Sequence, residues 1–351
     1  MTQTQATDNT WDKIRKNYRD NFARYLMGVA LYLQSEIMDQ LIRQRGHHGL
    51  RLTFEPYIAM SNAGGIRLSD IADHLGISRQ AANQTANQIE AAGYITRRSD
   101  PRDGRAKLLA TTERGEQLRA DGAEVAAQLQ TGMEQIAGRD ALDHAMKSLE
   151  LLCRHLDLFL PAPVDTRVAR DGALAALLPR LRDYINDRLM QLTIARGHPD
   201  LKHSFGQVLT AIGPRGGRIQ QMADIHGVSK QAISAVATEL EELGYICRVA
   251  DPDDARQVLL QFTDRGRRLI ADSVASVEEL QREFEDIIGR RAMQRLSSVM
   301  RDLYHALHLE EEIFGNAKAV DIRDLATQLT RQLGEEGASA LGQLLLSPAE
   351  T

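Results

Sequence analysis

One pattern occurs twice in this chain, in the same order and in register, 151 residues apart. The first copy reads Arg67-Leu-Ser-Asp-Ile-Ala-Asp-His-Leu-Gly-Ile-Ser-Arg-Gln-Ala; the second runs from Arg218 as Arg-Ile-Gln-Gln-Met-Ala-Asp-Ile-His-Gly-Val-Ser-Lys-Gln-Ala. The correspondence continues without a gap. Gly93-Tyr94-Ile95 matches Gly244-Tyr245-Ile246, and Asp100-Pro101-Arg102-Asp103-Gly104-Arg105 matches Asp251-Pro252-Asp253-Asp254-Ala255-Arg256. Roughly 22 of about 49 positions across 67–115 are identical to their partners, far above chance. The chain is therefore an internal duplication, and whatever the unit folds into must be built twice.

A length of 351 residues suits about two ordinary domains, in agreement with the repeat. The low aromatic content suits helices better than a sandwich. A net charge of −5 gives no global basic signature, so any nucleic-acid contact must come from local patches. Cys153 and Cys247 make neither a disulfide framework nor a zinc site, and a reducing cytoplasm is the expected setting. Met1–Asn17 is polar, and no apolar run approaches the length of a membrane span.

Apolar residues at helical spacing (Phe22, Leu26, Val29, Leu33, Ile37, Leu41) predict one helix over Asp12–Arg43, closed by Arg45-Gly46-His47. Arg196-Gly197-His198 is its counterpart. A short helix is expected around Phe54–Ser61, then a Gly64-Gly65 turn, a helix over Leu68–Leu75 and a turn at Gly76-Ile77. Ser78 should cap the next helix, which runs to about Ala92. Tyr94–Ser99 and Arg105–Thr111 read as two strands around a Pro/Asp/Gly turn. Thr112 should cap a long helix to about Ala137, with another over Arg139–Leu160. The domains expected are a first unit at 12–160, a linker at 161–172, a second unit at 173–314 and a tail at 315–351. Ile322, Leu325, Leu329 and Leu333 suggest one more amphipathic helix in that tail.

Two helices crossing steeply need a small residue in the first, glycine in the turn, and a small or branched apolar residue in the second. Ala72, Gly76 and Ala82 fill those places in copy one; Ala223, Gly227 and Ile233 fill them in copy two. This is a helix-turn-helix, and the strand-turn-strand after it is a wing able to place arginine in a minor groove. The order of long helix, short helix, helix-turn-helix, wing with Asp-Pro-x-Asp-x-Arg, and Thr-x-x-Gly opening a long helix resembles the MarR family of winged-helix regulators. The resemblance implies a mainly α fold with small β-wings: two winged helix-turn-helix domains joined by a helical pseudo-dimer hub. Family members are usually homodimers of single-unit chains that bind near-palindromic operators. Many release DNA when a small, often aromatic ligand binds between the dimer region and the winged domain. Fusion of two units departs from that pattern and puts ordinary homodimerisation in doubt.

In copy one, Ala82, Thr85, Ala86 and Ile89 form the inward stripe of the recognition helix. Ser78 caps it, and Arg79, Gln80, Asn83, Gln84 and Asn87 point outward, with amides suited to adenine edges. In copy two Ile233, Val236, Ala237 and Leu240 face inward. Ser229, Lys230, Gln231, Ser234 and Thr238 form a face poorer in bidentate readers. Arg102, Arg105 and Arg256 resemble the family's wing arginines, while Asp253 stands where copy one has Arg102. The charge over 79–116 comes to about +2 and over 230–267 to about −2, so copy two should hold DNA more weakly. Asp103 and Asp254 are expected to shape the wing from inside.

His47, His48, Arg51, Lys202 and His203 lie near where family ligands bind; ordinary surface or interface roles compete with ligand contact there. His226 reads as a partly exposed core histidine, and the cysteines as inert thiols. No nucleophile elbow, zinc-spaced set or dinucleotide fingerprint occurs, so neither catalysis, metal nor cofactor is expected. The expected function is that of a single-chain regulator on an imperfectly palindromic duplex, repressing until a small aromatic effector binds. Further self-association stays open. The alternative is a ligand-sensing or protein-interaction module whose DNA binding has decayed in one or both copies.

Overall fold

The computed structural model describes residues 3–101, 103–159, 171–214, 216–252 and 257–310. The tail helix expected after 315 and nearly all of the linker lie outside them. The chain divides into two compact units: Met1–Leu201 with Arg267–Leu307, and Lys202–Gly266 with His308–Thr351.

The first unit begins with α1 (Gln3–Arg19) and α2 (Phe22–Arg43). One helix was expected over Asp12–Arg43; the structure breaks it at Asp20-Asn21. Asn21 takes an extended backbone (φ −156°), and its side-chain oxygen accepts from Arg24 N at 3.0 Å. Its amide nitrogen donates to the carbonyls of Asn17 and Tyr18. One asparagine thus satisfies orphan groups at the end of α1 and the start of α2, and this local bonding competes successfully with helix continuation.

A 3₁₀ turn at Leu52–Phe54 and α3 (Glu55–Met60) lead to β1 (Ile66–Arg67), then α4 (Leu68–Leu75) and α5 (Arg79–Ala91). Strands β2 (Ile95–Asp100) and β3 (Asp103–Thr111) form an antiparallel wing, and β1 joins it in the order β1-β3-β2. Two long helices follow, α6 (Glu113–Ala137) and α7 (Arg139–His155). The second of these was expected to reach Leu160. It stops earlier because Asp157 turns left-handed (φ 53°) and Leu158 N bonds back to Cys153 O at 2.9 Å. Helix α8 (Ala173–Ala195), the counterpart of α2, opens the second copy of the repeat.

The second unit holds α9 (Phe205–Ala211), α10 (Ile219–His226), α11 (Lys230–Glu242) and the hairpin β4 (Ile246–Ala250) with β5 (Val258–Phe262). The duplication reaches into the hydrogen bonds. Ile66 pairs with Leu109 in the first wing, and Gly217 bridges to Leu260 in the second, each partner 151 residues on. The chain then returns through α12 (Asp264–Ile288) to α13 (Arg290–Ala306), beyond which His308 is left-handed as Asp157 is.

Within the first unit, helices from the two halves of the sequence pack on each other. Helix α2 packs against α8 and α13, and α7 against the same two. Leu26, Val29 and Leu33 of α2, Leu177, Leu181 and Ile185 of α8, and Met293, Leu296 and Leu303 of α13 are all buried. Tyr25 meets Tyr304 at 5.4 Å and Phe22 meets Phe284 edge-on at 5.9 Å. Each large apolar side chain so covered contributes about 1.5–3 kcal/mol. Neither half could gain this from its own helices alone.

Candidate nucleic-acid interface

The helix-turn-helix is built from local bonds. Helix α4 buries Ile71 and Ala72 and ends at Gly76, which is left-handed (φ 63°), the conformation that glycine adopts without cost. Ser78 then caps α5, its hydroxyl accepting from Ala81 N at 3.1 Å. Ala82, Ala86 and Ile89 are fully buried under α5. Arg79, Gln80, Asn83, Gln84 and Asn87 are exposed together on its far side.

Copy two repeats the construction. Gly227 has φ 61°, and Ser229 accepts from Ala232 N at 3.2 Å. Ile233, Ala237 and Leu240 are buried, while Lys230, Gln231 and Thr238 are exposed and Ser234 is half-buried.

Each wing is pinned by a charged pair that sequence reading gave no role. Asp100, buried, accepts from Arg67 Nε at 2.9 Å and Nη2 at 2.5 Å. Asp251 and Arg218 repeat this at 2.8 Å and 2.7 Å. Asp100 pulls the Arg67 guanidinium still further from deprotonation. Inward bracing was expected of Asp103 and Asp254; the buried carboxylate that anchors each hairpin stands at Asp100 and Asp251. Asp254 lies outside the described residues, as do the expected wing contacts Arg102 and Arg256. Arg105 is placed in β3.

Sequence reading also missed Arg97. From β2 it reaches Glu90 near the end of α5, and its Nη2 donates to Asn83 Oδ1 at 3.0 Å and Asn87 Oδ1 at 2.7 Å. Arg248 in β4 likewise meets Glu241 and donates to Thr238 Oγ1 at 3.1 Å. The available signal was the pairing itself, since Glu90 and Arg97 both recur 151 residues later.

Of the five residues expected near a ligand, His47, His48 and Arg51 belong to the first unit and Lys202 and His203 to the second. His47 is buried. Its Nε2 lies 2.8 Å from Asp121 Oδ2 on α6, and its Nδ1 lies 3.3 Å from the hydroxyl of Tyr94. The ring thus bridges the Asp121 carboxylate and the Tyr94 phenol. The contact with His47 holds the Asp121 carboxyl below the usual carboxylate range. Arg51 donates to Gln88 of α5 at 3.1 Å, and Lys202 pairs with Glu239 of α11. These are the same two positions in the two copies, each tethering a recognition helix. His48 and His203 are exposed. A cleft of about 580 Å³ in the first unit is lined instead by Arg180, Tyr184, Arg188 and Glu283, among others.

Among the described residues no group of histidines, cysteines or carboxylates is arranged to hold a metal ion, and no helix is long and apolar enough to cross a membrane. Burial pushes the Cys153 thiol up to about 11, which disfavours the thiolate needed for reactivity.

The model of the MarR family matches the chain at residues 58–106 and again at 206–257. The chain is similar to the HTH-type transcriptional regulator FarR of Neisseria gonorrhoeae, 26% identical over 84 residues. That match covers 24% of this chain and 58% of the relative, so the chain spans less than two thirds of the curated relative's length. Among solved structures, FabT of Streptococcus pneumoniae in complex with DNA is 20% identical, at 37% of this chain and 96% of that one, with a TM-score of 0.30. CouR of Rhodococcus jostii RHA1, bound to p-coumaroyl-CoA, is 23% identical, at 36% of this chain and 90% of that one, with a TM-score of 0.28.

Proposed function

We propose that this chain, which carries the MarR family's region twice in tandem, is a sequence-specific DNA-binding transcription regulator that acts as a single-chain pseudo-dimer. In this reading the repeat boundaries at 12–160 and 173–314 delimit two equivalent winged units. Each contributes a recognition helix to one half of an imperfect palindrome.

One observation carries the reading: α5 and α11 each lie on a helix-turn-helix with a buried apolar stripe and an exposed polar face. The packing of α2 and α7 against α8 and α13 supports the pseudo-dimer, because that is the pairing two separate chains would otherwise provide. Ser78, Arg79, Gln80, Asn83, Gln84, Asn87, Arg102 and Arg105 are the proposed DNA contacts of copy one. Those of copy two are Ser229, Lys230, Gln231, Ser234, Thr238 and Arg256. A small aromatic effector, acting near His47, His48 and Arg51 in the first copy and near Lys202 and His203 in the second, would relieve repression. Arg51 and Lys202 already touch the recognition helices.

A gel shift of the full chain on the DNA upstream of its own coding region, at several salt concentrations, tests this. The reading expects a salt-dependent complex with one chain per operator. No complex at low salt refutes it.

A second reading keeps the fold but not the DNA contact of copy two. Where the first wing has Arg98 and Lys107, the second has Val249 and Val258, and Val258 is 43% exposed. An apolar wing on an acidic copy favours a partner or ligand over phosphate.

A further inference from the structure

The amide groups of asparagine look alike at both ends, and their orientation is normally settled by their partners. Here the partner settles it. Arginine carries only donors, so the atoms of Asn83 and Asn87 that meet Arg97 Nη2 are carbonyl oxygens. Both residues stand one turn apart on the exposed face of α5, and both therefore turn their NH₂ groups away from Arg97. The guanidinium is itself fixed: Glu90 accepts from its other terminal nitrogen and from the Arg97 backbone N–H at 3.1 Å. Bidentate recognition of adenine requires the oxygen of the amide to accept from N6 while its nitrogen donates to N7. Guanine presents two acceptors, N7 and O6, and suits a donor-only group.

We propose that Arg97 is a specificity-determining residue: by holding the oxygens of Asn83 and Asn87 it makes the first recognition helix a donor surface that selects guanine rather than adenine at the positions these residues touch. The proposal rests on the DNA-binding reading above and names what that site reads. Copy two differs at the same place. Thr238 Oγ1 donates to the Ser234 carbonyl at 3.0 Å while accepting from Arg248 at 3.1 Å, so its one donor is already used. Arg248 then braces α11 without aiming a reader from Thr238, so selection by this device falls to copy one.

The test is selection of bound duplexes from a random pool by the full-length chain, followed by sequencing, with Arg97→Met, Asn87→Asp and Arg248→Met in parallel. The unaltered chain is expected to enrich guanine at the positions the variants alter. Arg97→Met frees the amides to rotate, so preference there should move to adenine by about tenfold. Asn87→Asp keeps Arg97 in place and exchanges an outward donor for an acceptor. It should move one position to a base that donates, adenine or cytosine, and it stands as the test should Arg97→Met fail to fold by thermal melting. Arg248→Met should change no base preference. Adenine in the unaltered chain at the position that Asn87→Asp alters overturns the proposal. So does an Asn87→Asp chain that alters no position, or a folded Arg97→Met chain that weakens every sequence alike. A chain that enriches no sequence overturns the DNA-binding reading, and this proposal with it.

Discussion

His47 Nε2 lies 2.8 Å from the Asp121 carboxylate, joining the loop after α2 to the long helix α6. His198 and Asp272 repeat the pair at 3.0 Å in the other half of the sequence. With Tyr94 on its second nitrogen, His47 ties the start of the wing to the helices that carry it. Replacing Asp121 with Asn leaves a buried imidazole facing a weaker partner and should cost about 1–3 kcal/mol in urea unfolding. The pair also sets a pH dependence. Because the folded Asp121 carboxyl lies below its usual range, its contribution is present above the unfolded carboxylate range. It is lost as pH falls through the lower, folded value. Stability measured across acidic pH should therefore fall less steeply in Asp121→Asn than in the unaltered chain; parallel curves would remove the pair from the account.

Asp100 is buried and accepts from Arg67, so Arg67→Ala removes a charged donor from a buried carboxylate. The expected cost is about 1–3 kcal/mol, felt first as faster amide exchange in β2 and β3. Arg218→Ala should do the same to β4 and β5. Unchanged exchange in the hairpin would show that the strand ladder holds without the pair.

Two glycines of α6 should respond in opposite directions. A Cβ on Gly115 would lie 2.2 Å from the Tyr94 carbonyl oxygen, a backbone atom that cannot swing aside. Gly266 stands in the same relation to Tyr245 at 2.0 Å. Gly115→Ala should thus destabilise by about 1–3 kcal/mol. Gly122, seven residues on, meets nothing within 4 Å, and Gly122→Ala should stabilise the helix by about 0.5–1 kcal/mol. Thermal melting of the two variants decides the point; equal effects would contradict the close approach.

These local features explain what could be read in advance. The ends of α4 and α5 were legible because Gly76, Ser78 and Gly93 act within a turn of where they sit. The inward stripe of Ala82, Ala86 and Ile89 follows from helical period alone. The break at Asn21 was hidden because an apolar stripe continues from α1 into α2, and periodicity does not register a side chain that caps both ends. Arg97 was hidden for a different reason. Its bonds to Asn83 and Asn87 cross from strand to helix, and no spacing rule for a single element anticipates them.

The two wings should differ in salt response. Each phosphate neutralised steepens the fall of affinity with salt by about 0.9 on logarithmic axes. Val258 is exposed where copy one has Lys107, so Val258→Lys should raise affinity at low salt and steepen the slope by about 1. Asn83→Ala should cost about 1–3 kcal/mol of binding if Asn83 pairs bidentately with a base, and Ser234→Ala clearly less. Equal losses from the two substitutions, or a footprint with two equally protected half-sites, would refute an asymmetric reader.

The two halves of the sequence should not behave as separable proteins. Helix α2 places Leu26, Val29 and Leu33, and α7 places Leu149 and Leu152, in a core whose other walls are α8 and α13. Ending the chain at Pro161 removes those walls and exposes side chains worth about 1.5–3 kcal/mol each when covered. A chain of residues 1–161 can recover that burial only by pairing with a second copy of itself, since its own α2 and α7 are the duplicates of the missing helices. Sedimentation should find either an obligate homodimer or aggregate. A well-folded monomer of that half would contradict the pseudo-dimer, because it would mean that each unit closes its own core and that the packing of α2 against α8 and α13 is dispensable.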